Sequence, residues 1–275
     1  MTAKLLLGQT TLYPLYYAPE LLTPIPRAAG RLACGLEPVW PYAGGDLWTC
    51  YELSWLSTTG MAQVAVLQMD VAAHSPALVE SKSLKLYLNS LNLTRFVDAQ
   101  QVLQTIAGDL QPLLGVCPTL RLWEPDAWQA LQVQSPGGYC LDNEPGVTVP
   151  ERPAADCLQR ESATSERSWV EERYYSHLFR SLCPVTGQPD WATVQIAYTG
   201  PRLTPASLLA YLLAFRQQAD FHEQCVERIF NDLLIAGQPK ELQVMASFTR
   251  RGGIDISPYR SLTPTTERPQ RTIRQ

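Results

Sequence analysis

The strongest constraint on this 275-residue chain is that one order of elements occurs twice. Residues 63–71 alternate as a strand does, and residues 95–114 carry helix-spaced apolar positions at Phe96, Leu103, Ile106 and Leu110. The order returns with a strand at 193–198, a long helix through 221–234, and a strand pair around 242–248 and 253–256. The copies align as residues 53–63 with 180–190, sharing a Thr-Gly turn, as 80–88 with 204–212, and as Phe96-Val97-Asp98 with Phe221-His222-Glu223. In that alignment Leu56 stands where the second copy has Cys183, and Gln63 where it has Asp190. Conversely, the charged Glu80-Ser81-Lys82 of the first copy meets only Thr204-Pro205-Ala206 in the second. Each half thus lacks polar groups that the other keeps, and the two are expected to cooperate.

The predicted organisation is an irregular arm over 1–45, a first module over 46–149, a polar Pro/Ser-marked linker over 150–168 and a second module over 169–275. Residues 123–149 read as short strand-like pieces broken at Pro136-Gly137-Gly138. With 45% hydrophobic and 17% charged residues, the chain has ample material for packed cores. A formal charge of −4 provides no uniform basic field for nucleic acid, so no direct nucleic-acid partner is expected. The longest apolar run, residues 207–215, is far short of the ~20 residues a membrane helix needs, and the N-terminal apolar stretch is too short for a signal peptide. A cytoplasmic setting is expected. Seven cysteines, odd in number and without a Cys-x-x-Cys pair, fit reduced thiols.

Four places carry chemistry. Cys183 lies in Ser-Leu-Cys-Pro-Val-Thr-Gly-Gln-Pro-Asp, where a turn would expose its sulfur to a cleft and Asp190 could return across the loop to manage a proton. The ordinary role of such a cysteine is inert core. His222-Glu223 opens a helix after Asp220, a plausible cap, and both residues could address a ligand from the helix end. The bland counterpart is a histidine stacked on Val226 and Ile229. Glu80-Ser81-Lys82-Ser83-Leu84-Lys85 holds two of the chain's four lysines, and its groups could read a heterocycle edge and a phosphate together, or simply be a solvated helix start. Arg250-Arg251-Gly252-Gly253 could present N–H groups and guanidinium forks to a phosphate, or be a plain hairpin turn. The Gly-x-Gly-x-x-Gly and P-loop signatures are absent. A metal set of Cys183, His222 and Cys225 can be drawn, but no close ligand pair supports it elsewhere, and no metal is expected.

Taken together, Glu80-Ser-Lys-Ser-Leu-Lys-Leu-Tyr87, Cys183-Pro-Val-Thr-Gly-Gln-Pro-Asp190, Asp220-Phe-His-Glu223 and Phe248-Thr-Arg-Arg-Gly-Gly-Ile254 resemble the NADPH-dependent 7-cyano-7-deazaguanine reductases of queuosine biosynthesis, in their longer two-module form. The resemblance implies an α+β chain of tandem tunnelling-fold domains, antiparallel sheets backed by helices, associating as a homodimer. It implies Cys183 as the nucleophile that forms a thioimide with the nitrile, and Asp190 as proton donor. It implies Val79, Glu80, Ser81, His222 and Glu223 as the residues holding the deazaguanine. Ser81, Lys82, Arg251 and Gly252 would hold NADPH, which is consumed twice. The competing readings are a pterin- or purine-type hydrolase or aldolase on the same fold, and a catalytically silent purine-binding module.

Overall fold

The computed structural model describes residues 13–161 and 169–275; the first twelve residues of the expected arm and residues 162–168 of the expected linker lie outside the described residues. The chain forms two compact units, one taking in the residues up to Trp40, Gly45–Gln132 and Arg250–Ile256, the other Pro41–Gly44, Val133–Thr249 and Ser257–Gln275.

The first unit runs β1 (Pro24–Pro26), α1 (Arg27–Ala33), β2 (Ala43–Leu56, from Gly45 on), β3 (Ala62–Ala72), β4 (Ala77–Val79), α2 (Ser81–Ser90), α3 (Ala99–Leu114) and β5 (Thr119–Trp123). β2, β3 and β5 pair antiparallel in that order. Alternate residues of β3 (Ala65, Leu67, Met69, Val71) face the core, as period-two geometry requires. Against them α3 buries Val102, Ile106, Leu110 and Leu114 at four-residue spacing, and α2 adds Leu84, Tyr87 and Leu88. α3 is bounded by its chemistry: the Asp98 carboxylate accepts the Gln101 N–H at 2.8 Å, and Gly115 closes the helix at φ 72°.

α1 falls inside the stretch read as irregular. Its inward residues are Arg27 and Arg31, four apart, so an apolar period has nothing to register. Arg27 pairs with buried Asp46 and donates to Ser75 Oγ at 2.9 Å, and Arg31 donates to the Ala73 carbonyl at 2.7 Å.

The second unit comprises β6 (Tyr139–Cys140), β7 (Trp169–Leu182), β8 (Pro189–Pro201), α4 (Pro205–Leu213), α5 (His222–Gly237), β9 (Glu241–Phe248) and β10 (Ile254–Ser261, from Ser257 on). β7, β8, β9 and β10 form antiparallel pairs, and two-residue β6 lies parallel to β7. The strand-like pieces expected over 123–149 are otherwise 3-10 turns, at Pro125–Ala130 and Leu141–Asn143. The stretch is too rich in Pro and Gly to sustain a ladder.

Each unit is thus antiparallel sheet and helix, the tandem tunnelling-fold class, and matching hydrogen bonds trace the repeat. β2 and β7 each skip register once, between Cys50 and Leu53 and between Ser176 and Phe179. Each then ends at a leucine whose N–H meets the chain before the next helix: Leu56 to Thr94 O at 2.9 Å, Leu182 to Gln218 O at 2.8 Å. Leu56 therefore corresponds to Leu182, and the counterpart of Cys183 is Ser57, one residue from the sequence alignment. The extra residue lies within the second turn, which spans 183–188 against 57–61. Gln63 remains the counterpart of Asp190, since each sits second in its strand, opposite Trp55 and Ser181.

The helix alignment also shifts. α3 and α5 have N-caps at Asp98 and Phe221 and left-handed C-caps at Gly115 and Gln238, so Ala99 and Gln100, not Val97 and Asp98, correspond to His222 and Glu223. The phenylalanine shared by both segments drew the alignment two residues off. Matching Tyr–Asp bonds corroborate the structural register, Tyr87 to Asp109 at 2.5 Å and Tyr211 to Asp232 at 2.7 Å. Burial, chiefly, raises the pKa of both tyrosines.

Part of the polar 150–168 stretch is bound. The Gln159 N–H donates to Ser207 Oγ at 3.0 Å and its carbonyl accepts from Thr204 N at 2.8 Å. In the first unit the Thr23 N–H donates to Ser83 Oγ at 3.1 Å and its carbonyl accepts from Glu80 N at 2.9 Å. Gln159 and Thr23 thus play the same part in the two copies.

Candidate active site

In the second unit the β7–β8 turn carries Cys183. Its N–H donates to Gln188 O and its carbonyl accepts from Gly187 N, both at 2.9 Å, and Gly187 takes φ 68° to close the loop. The β7–β8 register ends at Leu182 and Pro189, and the Cys183–Gln188 bond carries the hairpin one residue further, so that Cys183, two residues beyond Ser181, falls on the side of Ser181 and Asp190. Cys183 and Asp190 are diagonal neighbours on this face, a relation that places residues roughly 7–8 Å apart and their Cβ atoms somewhat closer. The turn does not expose the sulfur as the sequence suggests. Cys183 is 6% accessible and Asp190 3%, because this face of the sheet is the one the helices cover.

α5 brings the histidine to the same place. His222 Nε2 lies 3.4 Å from Asp190 Oδ2, and the imidazole stacks on Phe248 at 3.9 Å between centroids and 8° between planes. Phe248 is opposite Ala192 in the β8–β9 register, two residues from Asp190. The sheet thus supplies His222 with a platform beyond the Val226 and Ile229 of its own helix. Asp220 is not the cap. The Phe221 N–H is taken by Gln224 Oε1 at 2.9 Å, while Asp220 pairs with Arg228 at 2.6 Å. Glu223 is 3% accessible. Among the described residues, the buried Ser181 Oγ and His222 Nδ1 have no hydrogen-bond partner. Leaving such a group unpaired costs about 1–3 kcal/mol, which a hydrogen-bonding ligand would offset.

The first unit holds the other predicted group. Val79 ends β4 and is buried, and Glu80 caps α2. Glu80 Oε1 accepts the Lys82 N–H and Oε2 the Ser83 N–H, both at 2.8 Å, and the residue is 1% accessible. Burial raises the Glu80 pKa, opposed by these two N–H groups. A carboxylate offers about four acceptor positions, so the cap leaves lone pairs for a ligand. Ser81 and Lys82 form the first turn of the helix. Because the folded pKa is raised, the folded state holds its proton more tightly, and Glu80's stabilising contribution is lost as pH rises through the raised value. Glu80→Gln removes this titration. Melting of wild type and variant across pH is therefore expected to show wild type losing ground as pH rises from the ordinary glutamate range, and parallel curves would contradict it.

Arg251 and Gly252 also belong to the first unit. Arg251 and Ile254 exchange backbone hydrogen bonds of 2.8 and 3.1 Å across Gly252-Gly253, a two-residue turn with φ of 57° and 79°. Both central residues at positive φ is the type I′ arrangement, which glycine permits without strain. The Lys85 amine lies against this turn, 3.3 Å from where a Cβ on Gly252 would stand, and 3.4 Å from Glu52. Below them is a cavity of about 140 Å³ lined by Cys50, Glu52, Lys85, Asn89, Asn92 and Gly252.

Of the predicted residues, the structure gathers Cys183, Asp190 and His222 within the second unit, and Val79, Glu80, Ser81 and Lys82 at one helix start in the first. Sequence reasoning did not single out Phe248 as the platform for His222, nor Ser181. Phe248 stood in a quoted motif and Ser181 two residues before Cys183, the distance at which strand residues share a face. Among the described residues no group of three or more metal-ligating side chains occurs, and Cys183, His222 and Cys225 are not assembled into one. None of the seven cysteines forms a disulfide. Among the described residues no helix is long and apolar enough to cross a membrane.

Comparison with known proteins bears on this arrangement. Residues 13–117 match the family model described as nitrile reductase, 7-cyano-7-deazaguanine-reductase N-term, and residues 189–266 the model described as QueF-like protein. A protein from Bordetella avium named NADPH-dependent 7-cyano-7-deazaguanine reductase is 44% identical over 255 residues, spanning 93% of this chain and 92% of its own length. This chain belongs to the 7-cyano-7-deazaguanine reductase family. Proteins of the same name from Burkholderia ambifaria and Teredinibacter turnerae are each 45% identical, the first over 93% of this chain and 92% of the relative, the second over 94% and 91%. The first family span contains Val79 to Lys82; the second contains Asp190, His222, Glu223, Arg251 and Gly252, with Cys183 just before it.

Proposed function

We propose that this chain is an NADPH-dependent oxidoreductase that reduces the nitrile of 7-cyano-7-deazaguanine to 7-aminomethyl-7-deazaguanine, in queuosine biosynthesis, through a covalent thioimide on Cys183. The observation that carries the reading is the buried sheet face on which Cys183 and Asp190 are diagonal neighbours, with His222 3.4 Å from the Asp190 carboxylate.

A nitrile carbon is a weak acceptor of hydride in water. Addition of the Cys183 sulfur forms an S–C bond and breaks one C–N π bond, and the nitrile nitrogen takes a proton for which Asp190 is the donor. NADPH supplies hydride, twice in the full conversion of nitrile to amine, with two protons taken up. After the first reduction the sulfur leaves as thiolate and returns to its starting state. Burial excludes water, which would otherwise hydrolyse the C=N group. His222, held flat by Phe248, orients Asp190 and keeps Nδ1 for the substrate. Glu223 and Glu80 suit the adjacent N–H donors of a guanine-like edge, with Val79, Ser81 and His222 completing the substrate set.

Residues toward NADPH fit their group. The Gly252-Gly253 turn exposes backbone without a Cβ, Arg251 precedes it, and Lys82 and Ser81 sit at the N-terminus of α2, where phosphate is favoured. The setting proposed is a cytoplasmic homodimer acting on a free base, with no direct nucleic-acid contact and no metal.

The deciding experiment is intact-mass measurement after mixing the protein with the nitrile without NADPH. A mass increase of one substrate, mapped to Cys183, is the expected result; an unmodified protein that also fails to oxidise NADPH would shift the reading to a silent purine-binding module. Asp190→Asn keeps the shape and removes the proton donor. It is expected to lower kcat by about 10²–10⁴-fold with substrate binding held within a few fold, the usual scale for loss of a general acid. A kcat near wild type would assign the proton to another group.

A further inference from the structure

We propose that the second unit carries an anion site on the sheet face opposite the candidate active site, built by three guanidinium groups around Trp191 and suited to the phosphate of a small phosphorylated ligand. Trp191 follows Asp190 in β8, so its side chain emerges on the other face of the sheet. Arg180 is its direct partner across the β7–β8 ladder. The Arg180, Arg216 and Arg274 guanidinium carbons lie 5.9, 5.4 and 5.5 Å from the centroid of the indole. They come from three separate places, namely β7, the 3-10 turn Ala214–Gln217 and the C-terminal segment.

Their partners are backbone carbonyls: Arg180 donates to Arg216 O at 3.3 Å, Arg216 to Leu178 O at 3.2 Å and Arg274 to His177 O at 2.6 Å. Among the described residues none of the three pairs with a carboxylate, although other arginines of this unit do so, Arg173 with Glu267, Arg228 with Asp220 and Arg260 with Glu227. Asp142, which reaches the same strand, accepts from Ser176 and His177 instead. Arg216 Nε is buried and has no acceptor among the described residues. Three like charges about one ring repel one another, a cost the indole face offsets in part and a bound anion would offset further. A carboxylate would neutralise one of the three. A phosphate ester or diphosphate carries two or more charges and the oxygen geometry that guanidinium forks match. With the indole already flanked by guanidiniums, an anionic group rather than a base is the natural occupant.

This inference is independent of the nitrile-reductase reading. Its test is titration calorimetry of the full chain with inorganic pyrophosphate, alongside Arg180→Gln and Arg274→Gln. Arg121→Gln is the control, since Arg121 stacks on a different indole, that of Trp123 in the first unit. The expected result is saturable binding to wild type and the control, weakened at least tenfold in each of the two variants, with melting temperatures showing all proteins folded. Absence of binding, or equal weakening in the control, overturns it, as does binding of transfer RNA without binding of pyrophosphate, which would mark a nucleic-acid surface instead. Competition by NADPH supports the site and names the dinucleotide as the phosphate source; no competition supports it with a separate ligand. Formation of the Cys183 adduct needs no NADPH, so a normal adduct without pyrophosphate binding defeats this inference alone.

Discussion

Cys183→Ala is expected to abolish nitrile-dependent NADPH oxidation, with a loss of at least about 10³-fold, and to remove the adduct mass altogether. The magnitude follows from the role: when a covalent intermediate is the route, deleting the nucleophile removes the path rather than weakening one contact. The fold should tolerate the change. Cys183 holds its turn through backbone bonds to Gln188 and Gly187, which alanine keeps, and a buried thiol is close in size to a methyl group. Unchanged melting together with lost activity separates chemistry from structure. A variant that still consumed NADPH with the nitrile would rule out the covalent mechanism. Because Ser57 is the counterpart of Cys183 in the first unit, the variant also asks whether the other turn carries any residual activity, and none is expected from a half-buried serine whose hydroxyl is bound to Thr59 and Met61.

The largest expected effect on stability comes from Arg260→Ala. Arg260 and Glu227 are 0% and 2% accessible, and the guanidinium meets Glu227 Oε1 at 3.2 and 2.8 Å while donating to the Tyr259 carbonyl at 2.9 Å. Truncating one partner strands a buried carboxylate, at a cost of about 3–5 kcal/mol. At about 2–4 °C per kcal/mol for a domain of this general size, melting of the second unit should fall by about 6–20 °C. Replacing both partners by leucine should recover much of the loss, because the pair's cost is desolvation as much as its gain is attraction. A single variant melting within 2 °C of wild type would show that solvent reaches the site.

β3, β8, β9 and α5 were legible because alternation and four-residue spacing record which side of an element leaves water. α1 was hidden because its buried side is Arg27 and Arg31, whose acceptability depends on Asp46 and the Ala73 carbonyl arriving from elsewhere. Duplication was legible, yet its register near the chemistry was not. A shared Thr-Gly pair and a shared phenylalanine anchored the alignments one and two residues away from the structural match, since insertions collect in turns whose length no periodicity reports.

The same division runs through the candidate site. Residue types in four motifs, together with the absence of any dinucleotide-binding or metal signature, were sufficient for the α+β class, the family and the residues to watch. Local order along the chain carries that information. Whether Cys183 is exposed or buried, that Glu80 both caps a helix and keeps lone pairs to offer, that His222 lies on Phe248 and meets Asp190, and that three arginines share one indole are matters of which distant segments pack together. Such contacts depend on differences between large burial and desolvation energies, and those differences exist only once the chain has folded.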